Sequence, residues 1–189
     1  MTRVLTCDQD YRAELADALA AFDARVRDAQ ARGAWTAPSP CDGWTAADVL
    51  THVVGSVSMF AAAMGSDAQP SADAGPVQRW DQARSIAERI LGGIEDPAAP
   101  AAMKLGSREM TVAFVVEALL RDVVIHAWDL ARAAGGDEIL PPHLVTAATA
   151  ALASVPEHIR RKGLYADALD VPDGSGDQAR LLALAGRRP

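Results

Sequence analysis

The sequence predicts a mostly α-helical fold, and three features of it lead there. Half of the residues are hydrophobic and alanine supplies much of that half, and alanine beside leucine, arginine, aspartate and glutamate favours helices over sheets. Apolar residues recur at three- and four-residue intervals, the repeat of a helix that buries one face. Proline and glycine clusters then cut the chain between these periodic runs. At 189 residues the chain suits one domain, 1–189, and is long enough to bury a real core.

Charge and composition narrow the partners. A net charge of −7 and a pI near 5.0 make the surface acidic, which argues against nucleic acid or an anionic membrane. The first eight residues carry one basic side chain and no apolar core, so no signal peptide is expected. No stretch approaches ~18 uninterrupted apolar residues, the rough minimum for a spanning helix. A cytoplasmic protein acting on a small molecule is the expectation. Cys7 and Cys41 are too few and too far apart for a disulfide framework or a thiolate zinc finger.

In chain order, Asp8 is placed to cap a first helix reaching about Gly33, with Leu15, Leu19, Phe22 and Val26 on its buried face. Pro38, Pro40 and Gly43 then forbid regular structure, and Trp35 and Trp44 are expected to plug the end of the bundle. Thr45 and Asp48 form a capping-box variant opening a second helix, which runs through Val49, Leu50, Val53, Val54, Val57 and Phe60 to about Gly65. Residues 66–75 read as a surface loop. Pro76 opens a third helix carrying Trp80, Ile86, Ile90 and Leu91, stopped at Gly92-Gly93.

Residues 95–107 read as a loop with a brief extended piece at 103–106. A fourth helix, the longest apolar one, runs from about Ser107 to Ala134 and ends at Gly135-Gly136. A fifth follows Pro141-Pro142 and reaches roughly Arg161, where the basic run 158–162 complements a helix C-terminus. Loose alternation over 165–171 predicts an edge strand, and residues 178–185 a short closing helix.

The chemistry concentrates in the fourth helix. Asp122 and His126 are four residues apart, about one turn, so both side chains leave on one face. His52 comes off the second helix with the same spacing from Asp48. A histidine alone on an apolar helix is more often a satisfied core residue than a ligand. Asp122 changes the balance, because a carboxylate in so apolar a helix needs a cation or several donors. Arg121 and Arg132 are candidate counter-ions, although Arg121 leaves about 100° around the helix from Asp122.

If the second and fourth helices are neighbours, His52, Asp122 and His126 converge as three ligands with an open fourth position. That is the pattern of a catalytic divalent site, zinc first, with nickel, iron or manganese fitting the same donors. Asp48 is assigned to the cap. Asp129 either pairs with Arg132 or accepts the far N–H of a ligand histidine. His143 and His158 read as surface residues, and Cys41 as a bystander near the bundle mouth.

With those residues lined up, three runs carry a family resemblance: 38–45, 48–55 and 122–133, joined by the closing 180–189. The chain resembles the metal-binding domain of the mycothiol-dependent maleylpyruvate isomerases, within the wider DinB-like superfamily. The resemblance implies an up-down-down-up four-helix bundle with short C-terminal additions, and homodimers are common among such bundles. It matches His52 to the first metal histidine and Asp122 with His126 to the carboxylate-x-x-x-His pair. The isomerases have Glu where this chain has Asp122, and a second, C-terminal domain that these residues do not match. What carries over is therefore the site rather than the isomerase substrate.

As an enzyme, such a protein is expected to be a thiol-dependent transferase or isomerase, in which the metal lowers the pKa of a mycothiol-like thiol and presents the thiolate to an electrophilic substrate. No residue is assigned as general acid. The rival expectation is a metal-dependent binding or sensing protein that turns over nothing.

Overall fold

A computed structural model describes residues 4–155 and 167–188. Among them are six helices, α1 (Arg12–Arg32), α2 (Ala46–Ala63), α3 (Pro76–Gly92), α4 (Val112–Ala134), α5 (Pro142–Ala153) and α6 (Asp177–Leu184). One antiparallel hairpin, β1 (Pro100–Leu105) with β2 (Arg108–Thr111), lies between α3 and α4. The mostly α expectation holds.

The four long helices close on one another in the order α1, α4, α2, α3, so α1 faces α2 across the bundle rather than beside it. Their directions follow from contacts at their ends. The Ala47 N–H donates to Trp35 O at 3.0 Å, which starts α2 where α1 finishes and sends it back down. Trp80 Nε1 donates to Asp23 Oδ1 at 3.0 Å, while Arg12 reaches Ile94 O at 2.7 Å, so α3 also begins beside the end of α1 and descends to its start. Arg25 of α1 donates to Ile139 O, just past α4, at 2.8 Å, which makes α4 ascend. The order is up-down-down-up. Two consecutive helices in one direction require the crossing made by residues 64–75.

Burial follows the predicted periodicity. Leu15, Leu19, Phe22 and Val26 of α1 are fully buried, as are Val49, Val53 and Val57 of α2. By length and composition alone α2 is apolar enough to cross a membrane, but these buried valines account for its hydropathy. α4 packs on α1, α2 and α5 at once and is buried on almost every side. This explains why its sequence is apolar nearly all round.

Several boundaries differ from the expectation. Tyr11, not Asp8, precedes α1, and Asp10 accepts from the Arg12 backbone and guanidinium instead. The brief extended piece expected at 103–106 belongs to a longer paired hairpin, which takes up much of the expected loop. Leu105 pairs with Arg108 around a two-residue turn in which Gly106 takes φ +62°, a left-handed value open to glycine. β2 continues into α4 through Thr111, whose Oγ1 accepts from the Phe114 N–H, so α4 starts five residues later than predicted.

α5 ends at Ala153 rather than near Arg161. The basic run 158–162, with His158, lies outside the described residues, as do Tyr165 and Ala166. The described remainder of the predicted edge strand, 167–171, forms no strand; Leu169 bonds instead to Ala183 O at 2.9 Å, docking the segment on α6. α6 buries Leu181 and Leu182 and packs on α5.

Candidate metal centre

Local signals set both site helices. Thr45 accepts from the Asp48 N–H at 3.3 Å, and Asp48 Oδ2 accepts from the Thr45 N–H at 2.8 Å and its hydroxyl at 2.6 Å. The reciprocal cap fixes where α2 starts and occupies Asp48, as expected. His52 lies about two turns further on, its side chain 37 % exposed at the α2–α4 junction.

α4 places Asp122 and His126 opposite it. His52 Nε2 lies 3.2 Å from Asp122 Oδ1, and His126 Nε2 lies 3.5 Å from the same oxygen. The three donor atoms lie within 4.8 Å of one another, so the structure brings all three predicted residues together. A tetrahedral ion with ligands at about 2.0–2.1 Å sets neighbouring donors roughly 3.4 Å apart. Both contacts to Asp122 are already near that spacing.

The tautomer of His126 tests whether a cation fits. His126 Nδ1 lies 2.9 Å from Asp129 Oδ2, and an ionised carboxylate only accepts, so Nδ1 carries the proton. In the neutral ring Nε2 then bears a lone pair facing Asp122 Oδ1, another acceptor. That contact is satisfied by a second ring proton on Nε2 or by a cation seated between the two atoms. Asp122 Oδ2 is buried, and the Ser56 hydroxyl is the one further hydrogen-bonding group on this carboxylate besides the imidazoles among the described residues. The donor set fits a divalent ion.

The hydrogen bond to Asp122 raises His52 above its ordinary value. Burial by itself would raise Asp122, but the imidazoles of His126 and His52, with a hydrogen bond from the Ser56 hydroxyl, outweigh it and hold the carboxyl below the usual range. Asp129, fully buried, is likewise pushed up by burial and held low by hydrogen bonds from His126 and Arg187. The Trp44 ring covers one side, 5.1 Å from the His52 ring and stacked 6.1 Å from that of His126. It plugs the bundle end, as expected, and also walls the site.

Other candidates resolve differently. Arg132 is not the counter-ion of Asp122: it pairs with Glu138 at 2.9 Å and lies 4.4 Å over the Trp128 ring. The charge of Arg121 bears on Glu117, whose carboxyl burial pushes up. Asp129 takes the role of accepting the far N–H of His126. His143 is exposed, 3.0 Å from Asp17.

Cys41 is closer to the chemistry than a bystander, 3.3 Å from Asp129 Oδ2. Burial and the adjacent Asp129 push its thiol up to about 11. Cys41, Asp129 and His126 form a second possible donor group. The guanidinium of Arg187, 2.9 Å from Asp129 Oδ2, already occupies the place where an ion would be balanced.

Arg187 is the residue that sequence reasoning missed. It is 58 residues from Asp129, a separation no helical period connects, and the only signal was its place in the closing run 180–189.

Fold and site define a mostly α bundle protein with a His–Asp–His donor cluster where its second and fourth long helices meet. The chain belongs to the mycothiol maleylpyruvate isomerase N-terminal domain family, which matches residues 12–131 and so includes all three donors. It is 34% identical over 177 residues to two proteins of Mycobacterium tuberculosis, the uncharacterized proteins MT0763 and Rv0738, covering 90% of this chain and 92% of each relative. No solved structure matches it.

Proposed function

We propose that this chain holds a divalent metal on His52, Asp122 and His126 and works with a low-molecular-weight thiol, mycothiol by the family's description, as a transferase or isomerase. The observation that carries the metal is the convergence of His52 Nε2, His126 Nε2 and Asp122 Oδ1, with both imidazole nitrogens 3.2 and 3.5 Å from that oxygen, near the donor spacing of a tetrahedral ion. A bound divalent ion, with zinc the first choice and nickel, iron or manganese admitted by the same donors, supplies the charge that turns a thiol into a thiolate at neutral pH. Around it, Asp129 keeps the His126 proton on Nδ1, and Trp44 shields one side from water. The exposed His52 edge leaves room for an incoming ligand. Cys41 is held away from the three donors, donating to Asp129 Oδ2 and accepting from Arg187. The thiol therefore comes from outside the chain and meets a small electrophile in the cytoplasm.

Elemental analysis followed by titration of mycothiol into the metal-loaded protein tests this. The expected result is one metal per chain, a proton released on thiol binding, and thiol adducts with members of an electrophile panel. Metal and small-molecule binding without adducts would instead support a binding or sensing role. Absence of stoichiometric metal would remove both.

Metal affinity should depend on pH. His52 must lose its proton to bind, and Asp122 raises its pKa above the ordinary 6.5. Metal affinity should therefore climb about tenfold per pH unit from about pH 5.5 through 6.5, and level off only above the raised value. In the metal-free protein the sign is opposite. There the His52–Asp122 pair stabilises the fold below pH 6.5, and that contribution fades as pH rises through the folded pKa. Competition titrations across pH read the first effect, and a flat profile would contradict it.

A further inference from the structure

We propose that Arg187 is a positioning residue for the candidate centre: it holds the Asp129 carboxylate, and through it the His126 ring, in the orientation that presents Nε2 to His52 and Asp122. The inference rests on the assignment of His126 as a ligand made above.

Three separate stretches of chain build the seat. Arg187 follows α6 across Gly186, whose φ of +76° turns the chain back toward the bundle, and the Arg187 N–H donates to Leu182 O at 2.8 Å. Its NH1 donates to Ala185 O at 2.8 Å, so one edge of the guanidinium is held by its own turn. The other edge grips Asp129 at two points, Nε to Oδ1 at 3.3 Å and NH2 to Oδ2 at 2.9 Å. NH2 also donates to Cys41 Sγ at 3.2 Å, from the loop ahead of α2. The tail is fastened to α4 again where Arg132 NH1 donates to Arg188 O at 2.7 Å.

A two-point grip fixes the plane of a carboxylate, which a single point charge cannot do. Oδ2, one of the gripped atoms, is the atom that accepts from His126 Nδ1. Rotating that carboxylate would turn the imidazole or release its proton to the other nitrogen, and Nε2 would lose its aim. Groups that orient a ligand histidine in this way typically change metal affinity 10–100-fold when removed, an effect of roughly that size being expected here. Arg187 lies beyond residues 12–131, so the family match does not include it.

The test pairs ¹⁵N NMR of the histidine rings in metal-free protein with Co(II) titration followed by visible absorption. Wild type should show His126 protonated on Nδ1. Arg187→Gln should mix the two ring tautomers and weaken Co(II) binding about 10–100-fold. Arg187→Lys keeps the charge without the fork and should recover only part of the affinity. Arg188→Gln, which alters an exposed side chain and leaves the backbone contact, should match wild type. Wild-type tautomer and affinity in Arg187→Gln would overturn the proposal, and if that variant does not fold, the same result in Arg187→Lys overturns it. If wild type takes up no Co(II), the ligand assignment fails, while the ring tautomer in Arg187→Gln still decides whether Arg187 positions His126.

Discussion

Replacing His126 with alanine should leave the purified protein without stoichiometric metal and lower its zinc affinity roughly 10²–10³-fold. The magnitude follows from structural zinc binding of about 10–16 kcal/mol shared among four ligands, or about 2.5–4 kcal/mol for each. His126 is the strongest choice because both ring nitrogens are used, Nε2 toward Asp122 and Nδ1 on Asp129. His52→Ala should lose metal to a similar degree but leave the Asp129 contact untouched. Competition with a chromophoric chelator measures both. Metal content equal to wild type in either variant would show that the three residues only satisfy one another.

Trp80→Ala should cost about 3–5 kcal/mol of stability, a large share of the ~5–15 kcal/mol that a domain possesses. The indole is completely buried, with its ring centroid 4.7 Å from that of Phe22, which fastens α3 to α1. Its Nε1 donates to Asp23 Oδ1, and Asp23 also pairs with Arg27 at 3.0 Å and Arg84 at 3.1 Å. Trp80→Phe keeps most of the apolar surface and loses the N–H, so it should cost nearer ~1 kcal/mol. Urea unfolding separates the two variants. Equal midpoints for Trp80→Ala and wild type would mean that the α1–α3 contact is not as described.

Much of the fold was readable before any coordinates. Pro76 at the first turn of α3 and Gly33 and Gly135 after α1 and α4 mark ends that the structure keeps, both glycines with φ above +60°. Thr45 and Asp48 announce the start of α2 because a capping box is a local interaction complete within four residues. Of the hairpin only the extended piece at 103–106 was legible, because its strands are short, β1 is almost wholly exposed, and neither shows a clean alternation. Thr111 ends a strand and caps a helix at once, and no single period describes that position.

The site divides along the same line. The i,i+4 spacing of Asp122 and His126, and the apolar setting that makes a carboxylate there need a cation, belong to the sequence, since a helix converts spacing directly into a shared face. The meeting of His52 with that pair was only conditional on helix packing, which the up-down-down-up bundle supplies by laying α2 against α4. Arg187 and Cys41 were decided by tertiary structure alone. They reach Asp129 across 58 and 88 residues, and contacts at such separations depend on how the chain returns upon itself, which leaves no pattern in local spacing.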